Sequence, residues 1–234
     1  MAVKQGDRIK TGIPGLDDIL YGGIPRGNLV TLSGDAGSGK TLFCLEFLYK
    51  GIKEYGENGI FISLEETRDN LLEHGRLFNW NLKELIENKK LIIETIELYD
   101  FEKLKNTIED VIRRFNAKRL VIDPGVIFRL YFERELDARK KILSLGKMLR
   151  TVEVTSIITN EVSLEKTSSL FGLEEYVADG VILLYHTRLK DRFVRGIGVI
   201  KMRGTKISEK LHPIRIDEDG LSVLSTQELL EEIE

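Results

Sequence analysis

The sequence predicts an α/β fold, with a mainly parallel sheet flanked by helices on both faces and extended at its C-terminal end by antiparallel hairpins. Three observations carry this prediction. β-branched apolar runs recur at about 28–33, 59–64, 91–95, 119–123, 154–159 and 180–185. Helix-period stretches separate the first five, which is the rhythm of a parallel sheet covered on both sides. Beyond Gly180 the pattern changes to short strands at 180–186, 194–202, 211–216 and 221–224 joined by charged turns, the mark of antiparallel neighbours.

At 234 residues, 42% hydrophobic and 31% charged, the chain has the make-up of one globular domain, 1–234, able to bury a core without crosslinks. The single cysteine, Cys44, lies in an apolar stretch and excludes an internal disulfide or a Cys-rich zinc site. The N-terminal MAVKQGDRIK has no apolar signal core, and no apolar run approaches the roughly 20 residues that cross a bilayer. No membrane partner and a cytoplasmic location are expected.

The first strand runs into Gly34-Asp35-Ala36-Gly37-Ser38-Gly39-Lys40-Thr41, the spacing G-x-x-x-x-G-K-T, and the apolar helix continues from Leu42, which is counted with the nucleotide contacts. In a strand-turn-helix setting this spacing marks a phosphate loop rather than a plain glycine turn. The glycines let the backbone wrap closely, so that successive N–H groups and a helix N-terminus face phosphate oxygens. Lys40 carries a point charge toward the β and γ phosphates, and the Thr41 hydroxyl is placed to ligate Mg2+. ATP with Mg2+ is the expected ligand.

The second strand ends in Ser63-Leu64-Glu65-Glu66, and strand C-terminal ends are where an open α/β sheet places its ligands. An acid there can orient and deprotonate a water. The same pair can instead open the helix EETRDNLLEH, whose dipole favours early acids, and the residues alone leave both readings open. The helix at 102–116 sets Leu104, Ile108, Val111, Ile112 and Phe115 on one face and Lys103, Glu109, Asp110 and Arg113 on the other. Arg119-Leu120-Val121-Ile122-Asp123 is an apolar strand ending in a carboxylate, the form of the second Mg2+-side acid in a phosphate-loop protein. The tail STQELLEEIE is acidic and amphipathic behind Ser225-Thr226 and is expected to form a short surface helix.

Thr11-Gly12-Ile13-Pro14-Gly15-Leu16-Asp17-Asp18-Ile19-Leu20 with Gly22-Gly23-Ile24-Pro25, then GDAGSGKT, SLEE, LVID, TNE, EEYVADGVILL and KMRGT, form one ordered series from about Thr11 to Val223. The series resembles the KaiC-like group of RecA-superfamily ATPases. That resemblance implies a RecA-like P-loop NTPase fold and Mg2+-dependent ATP hydrolysis, with Glu65 and Glu66 as the catalytic acid pair and Asp123 beside Thr41 on the metal. It implies that Asn160 in Thr159-Asn160-Glu161 senses the γ-phosphate. It further implies that Lys201 and Arg203 of Lys201-Met202-Arg203-Gly204-Thr205 reach the γ-phosphate bound by a neighbouring subunit, while Arg195 and the strand through Ile216 approach the same neighbour's base. The first partner is then a second copy of the chain, in a ring or filament.

The clock protein of this group carries two such domains in tandem, whereas this chain has the length of one. Its segment Glu174-Glu175-Tyr176-Val177-Ala178-Asp179 resembles the ATPase half of that protein and lacks the adjacent Ser and Thr phospho-acceptors of the autokinase half. Pro124 follows Asp123 where the family has Ser, which removes a hydroxyl and a backbone donor, so slow turnover is expected.

VIFRLYFERELDARKK interleaves Phe128, Tyr131 and Phe132 with Arg129, Arg134, Arg139 and Lys140 in the region that corresponds to a DNA-binding loop of recombinases, and single strands stack on such sets. The helical spacing of Phe128, Tyr131 or Phe132, and Leu136 explains the same letters as a packed helix face, which is the preferred reading. The basic run HTRLKDRFVR at 186–195 reads as a solvated hairpin tip. A recombination accessory that binds single-stranded DNA, with ATP as modulator, is the alternative function. A net charge of −3 offers it no global basic field. Protein partners other than the chain itself are not legible.

Overall fold

The computed structural model describes residues 8–96, 100–124, 132, 134–162, 177–189 and 191–229. A two-stranded sheet pairs Arg8–Ile9 (β1) with Ile24–Pro25 (β2), and Leu16–Ile19 (α1) lies between them in sequence. The main sheet contains Leu29–Gly34 (β3), Gly59–Ser63 (β4), Leu91–Thr95 (β5), Arg119–Asp123 (β6), Thr155–Glu161 (β7), Gly180–Leu189 (β8), Arg192–Met202 (β9), His212–Asp217 (β10) and Gly220–Val223 (β11). Its order is β11-β10-β9-β8-β3-β7-β6-β4-β5, parallel from β8 to β5 and antiparallel from β8 to β11. The expected α/β architecture with antiparallel C-terminal strands is the one the chain forms.

Helices Lys40–Tyr55 (α2), Arg68–Arg76 (α3) and Leu82–Glu87 (α4) share one face of the sheet, and Phe101–Phe115 (α5) and Glu135–Thr151 (α6) share the other. Period-two alternation in the central strands assigns side chains to the two faces. Phe61, Val121 and Ile157 join the core beneath α2, while their neighbours Ile60, Ile62, Leu120, Ile122 and Ile158 join the core beneath α5 and α6. Strands buried on both faces read as unbroken apolar runs, which is why these runs stood out.

Three expectations change. β8 and β9 extend into the run 186–195, with His186 opposite Arg195 and Arg188 opposite Phe193, because a hairpin arm exposed to solvent keeps its ladder without an apolar run. Phe132 packs edge-on against Phe101 (5.7 Å between centroids) ahead of α6, and Leu136 is 59% exposed, so these two do not make one packed helix face. Phe128, Arg129, Tyr131 and Glu174–Tyr176 lie outside the described residues. In the tail, Ser225–Thr226 form a turn and the Leu229 N–H donates to the Leu211 carbonyl at 2.8 Å, an extended-chain contact rather than a helical one. Leu230–Glu234 lie outside the described residues.

The end of the sheet away from the strand C-termini is fastened by Arg119. This fully buried guanidinium pairs with Glu57 at 2.8 Å, donates to the carbonyls of Lys10, Thr11 and Phe47, and lies 4.6 Å from the Phe47 ring centroid. Gly51 leaves the room this side chain occupies. Removing one partner of so buried a pair costs about 3–5 kcal/mol, because the other charge is left uncompensated.

A second buried charge carrier, Glu46 on α2, accepts the Leu221 N–H at 2.7 Å and packs under Gly220 in the β10–β11 turn. Burial pushes its carboxyl up from 4.5 to about 7, against the Leu221 hydrogen bond and Lys50, with Asp217 and Glu54 adding to the rise. Below pH 4.5 the group is protonated whether the chain is folded or not. As pH climbs from there to about 7 the unfolded chain releases this proton while the folded one keeps it, so stability falls through that window. Glu46→Gln keeps an acceptor for Leu221 and removes the titration. Urea unfolding should find the variant more stable than the parent above pH 7, by about 2–3 kcal/mol, and nearly equal to it at pH 4.5. A stability gap that does not change between those pH values would exclude Glu46 as the source.

Candidate active site at the strand C-termini

The parallel strands bring their C-terminal ends to one edge of the sheet, where Gly34 of β3 stands level with Glu161 of β7 and Leu184 of β8, and Ser63 of β4 with Asp123 of β6. The loop 35–39 leaves β3 and enters α2 through Gly37 (φ 75°) and Gly39 (φ 100°), left-handed values that favour glycine. The Ser38 N–H donates to Asp35 O at 3.2 Å, closing the turn. No side chain caps α2 and no acid stands in its first turn, so its N-terminal N–H groups are left for an anion. Ser38 Oγ is buried in the loop and has no hydrogen-bond partner among the described residues, as expected of a cradle shaped around a polar ligand.

Lys40 Nζ donates to the carbonyls of Gly34 and Asp35, both at 2.9 Å. Burial lowers the pKa of this ammonium, while the carboxylates of Glu161, Asp123 and Asp35 act in the opposite direction. Glu161 is thus an acid at the mouth of the loop that sequence reasoning did not single out. Its signal was its place after Asn160 at the end of an apolar strand.

The Thr41 hydroxyl donates to Asp123 Oδ2 at 3.0 Å, and the Thr159 hydroxyl donates to Asp123 Oδ1. Asp123 is 9% exposed and so is held from both sides at the floor of the site. Among the described residues no cluster of three or more His, Cys, Asp or Glu could cage a metal. A hydroxyl beside one carboxylate instead fits Mg2+, which takes one or two protein oxygens and completes its shell with phosphate and water. Thr159 was also missed, its signal being a polar residue inside an apolar strand. Asp123 and Pro124 are joined by a cis peptide.

Glu65 and Glu66 do not open a helix. Thr67 is the N-cap of α3, its Oγ1 accepting the Asn70 N–H at 3.3 Å, so the two acids precede the helix in a loop. That loop is fastened to the ends of β6 and β4: the Leu64 N–H donates to Asp123 O at 2.8 Å, and the Ser63 hydroxyl to Glu66 O at 2.6 Å. Glu65 is exposed, and Glu66 lies 3.7 Å from His74 Nδ1. Asn160 is fully buried, level with Ser33 of β3, and Leu42 is half-buried in the first turn of α2.

The remaining residues divide between the two ends of the sheet. Arg195 Nη2 and Nε donate to Gly37 O at 3.3 and 3.4 Å, and Ile216 packs against Gly39. Both therefore lie on the chain's own phosphate loop, whereas the resemblance assigns them to a neighbour's base. The cause is the hairpin, which carries β8 past the level of Gly34 and returns Arg195 opposite His186. Lys201 and Arg203 are not brought to this loop. Lys201 pairs with Val181, and Met202 with Gly180, which in turn pairs with Val30 near the start of β3.

A phosphate loop, a hydrogen-bonded Thr–Asp pair and a loop of acids at one edge of this sheet define a P-loop nucleotide-binding protein of RecA-like fold. The chain belongs to the KaiC ATPase family, whose model matches residues 9–228. It is 34% identical to a UPF0273 protein of Methanocaldococcus jannaschii, covering 92% of this chain and 96% of that one. It is 35% identical to a UPF0273 protein of Aeropyrum pernix, covering 93% of each. It is 33% identical to the circadian clock oscillator protein KaiC of a Picosynechococcus strain over 95% of this chain, which spans 45% of that longer protein. A solved structure of a KaiC-like protein from Pyrococcus horikoshii superposes with a TM-score of 0.84 at 37% identity, covering 92% of this chain and 98% of its own. Among the described residues, no helix is long and apolar enough to cross a membrane.

If Asp123 stands on the metal side, ATP should raise Tm more with Mg2+ than with a chelator, a ligand at 100 times its Kd adding about 2.7 kcal/mol by mass action. In Asp123→Asn the Mg2+ increment should vanish while ATP alone still stabilises. An undiminished increment would remove Asp123 from that role.

Proposed function

We propose that this chain is a Mg2+-dependent ATPase that works as an oligomer, each site being completed by Lys201 and Arg203 of a neighbouring copy. One observation carries the reading: β9 joins the two ends of the sheet, with Arg195 on the chain's own phosphate loop and Lys201 and Arg203 at the opposite end. Lys201 stands level, through Val181, with Thr31, which is three residues from Gly34, so the KMRGT segment starts about 10 Å below the loop it would have to serve within one protomer. The same segment sits at an edge where a second copy can meet it.

Mg2+, when held by Thr41 and Asp123, would supply charge neutralisation on the phosphates. Gly37, Ser38, Gly39 and the first turn of α2 present N–H groups to the phosphate oxygens, and Lys40 leaves two carbonyls to donate to the β and γ groups. Thr41 and Asp123 provide the metal-side oxygens. Glu65 or Glu66 takes a proton from water as its oxygen bonds to the γ phosphorus, and the β–γ bridging oxygen departs with the bonding electrons. Asn160, beside Ser33, is placed to report the γ-phosphate to β7. A guanidinium from outside stabilises the charge that builds on the transferred group and makes turnover depend on assembly.

Two measurements test this. Replacing Glu65 and Glu66 with Gln should leave ATP affinity unchanged and lower single-turnover hydrolysis by about 10²–10⁴, the size of a lost general base. Unchanged hydrolysis would take both acids out of the chemistry. Arg203→Ala and Lys40→Ala should each be nearly inactive, yet a mixture should recover part of the turnover, because some interfaces then combine an intact loop with an intact arginine. A mixture that stays inactive although native mass measurement finds both variants in one assembly would disprove the shared site.

A further inference from the structure

We propose that Asp179 is a positioning residue that holds Arg203 in place for the neighbouring site; this rests on the shared-site reading above. Asp179 immediately precedes β8 and is 6% exposed. Its carboxylate is divided among three donors. Oδ2 accepts the Leu29 N–H at 3.1 Å and Arg150 Nη1 at 2.9 Å, and Oδ1 accepts Arg203 Nη1 at 3.2 Å. The main chain repeats the connection: the Asp179 N–H donates to Leu29 O at 2.7 Å, and the Arg203 N–H donates to Asp179 O at 2.8 Å. Asn28 Nδ2 adds a bond to Arg203 O at 3.2 Å. The start of β3, the end of β9 and the C-terminal part of α6 are therefore gathered on one buried carboxylate.

The Arg203 side chain remains 60% exposed while its anchor is buried. Among the described residues its guanidinium bonds Asp179 through Nη1, which leaves further N–H groups of the planar fork for another acceptor. A long, rotamer-rich side chain is thereby restricted before a phosphate arrives, and a planar fork that is already oriented loses less freedom in making its bonds. Sequence reasoning placed Asp179 only at the end of EEYVAD and gave it no role.

Asp179→Asn keeps an acceptor for the Leu29 N–H and removes the charge that holds Arg203. In assemblies of unchanged mass, kcat should fall on the order of tenfold, as for a misplaced catalytic group, while KM and Kd for ATP stay within twofold. Mixing this variant with Lys40→Ala should restore turnover per intact phosphate loop, because the loop of the first protomer then receives an Arg203 that its neighbour holds correctly. Arg150→Gln, which leaves the Asp179–Arg203 contact in place, should keep kcat within twofold and gives a separate test if Asp179→Asn does not fold. A kcat that is unchanged or raised in Asp179→Asn, a loss that Lys40→Ala does not rescue, or an equal loss in Arg150→Gln would each overturn the proposal. Arg203→Ala, run alongside, separates the two ideas: full activity there sinks the shared site itself, whereas an inactive Arg203→Ala beside a fully active Asp179→Asn sinks only the role of Asp179.

Discussion

The contact between the Thr41 hydroxyl and the Asp123 carboxylate at 3.0 Å is the constraint around which the site is built. Thr41 lies in α2, which follows β3, whereas Asp123 ends β6, and these two strands are not neighbours, since β7 lies between them. Closing that gap requires α2 to begin directly over the end of the sheet, which the left-handed Gly37 and Gly39 allow. It also requires β7 to end in residues that accept a polar ceiling, and Thr159 and Asn160 meet that need. The loop carrying Glu65 and Glu66 hangs from the same point through Leu64 and the Asp123 carbonyl. The phosphate loop, Thr41 and the two acids are thus registered to one carboxylate, and the buried Phe43 and Phe47 of α2 hold the helix against the sheet while they do so.

Strand polarity sets a second limit. From Arg195 to Arg203 is eight residues, or about 26 Å of extended chain. One end of β9 leans on the chain's own loop and the other stands at the opposite end of the sheet. A stiff strand inside a paired sheet cannot fold back, which is why the role proposed for Arg203 is toward a neighbour's nucleotide. Asp179 turns that geometric separation into a mechanical one, because the residue that holds Arg203 also bonds the first residue of β3, whose last residue begins the phosphate loop.

The parallel half of the fold was readable because strands buried on both faces leave uninterrupted apolar letters, and the phosphate loop because its spacing is tied to a backbone shape. Asp123 was readable for the same reason, as a charge ending an apolar strand. What the letters concealed depended on distance through space. That Glu65 and Glu66 precede a helix rather than begin it turns on the choice of Thr67 as N-cap. The placing of Arg195 and Ile216 on their own loop follows from the hairpin register, which two exposed arms do not encode in hydrophobicity. Thr159, Glu161 and Asp179 act through partners between 24 and 150 residues away along the chain, and a single polar letter in an apolar run does not announce its partner.

The central claim, a site that one protomer cannot complete, is tested most directly by measuring specific ATPase activity over a wide range of protein concentration alongside the mass of the assembly. Activity per chain should rise with concentration and follow the fraction of assembled protein, approaching zero where sedimentation finds only monomer. Full activity per chain in a dilution that is monomeric by mass would contradict the account.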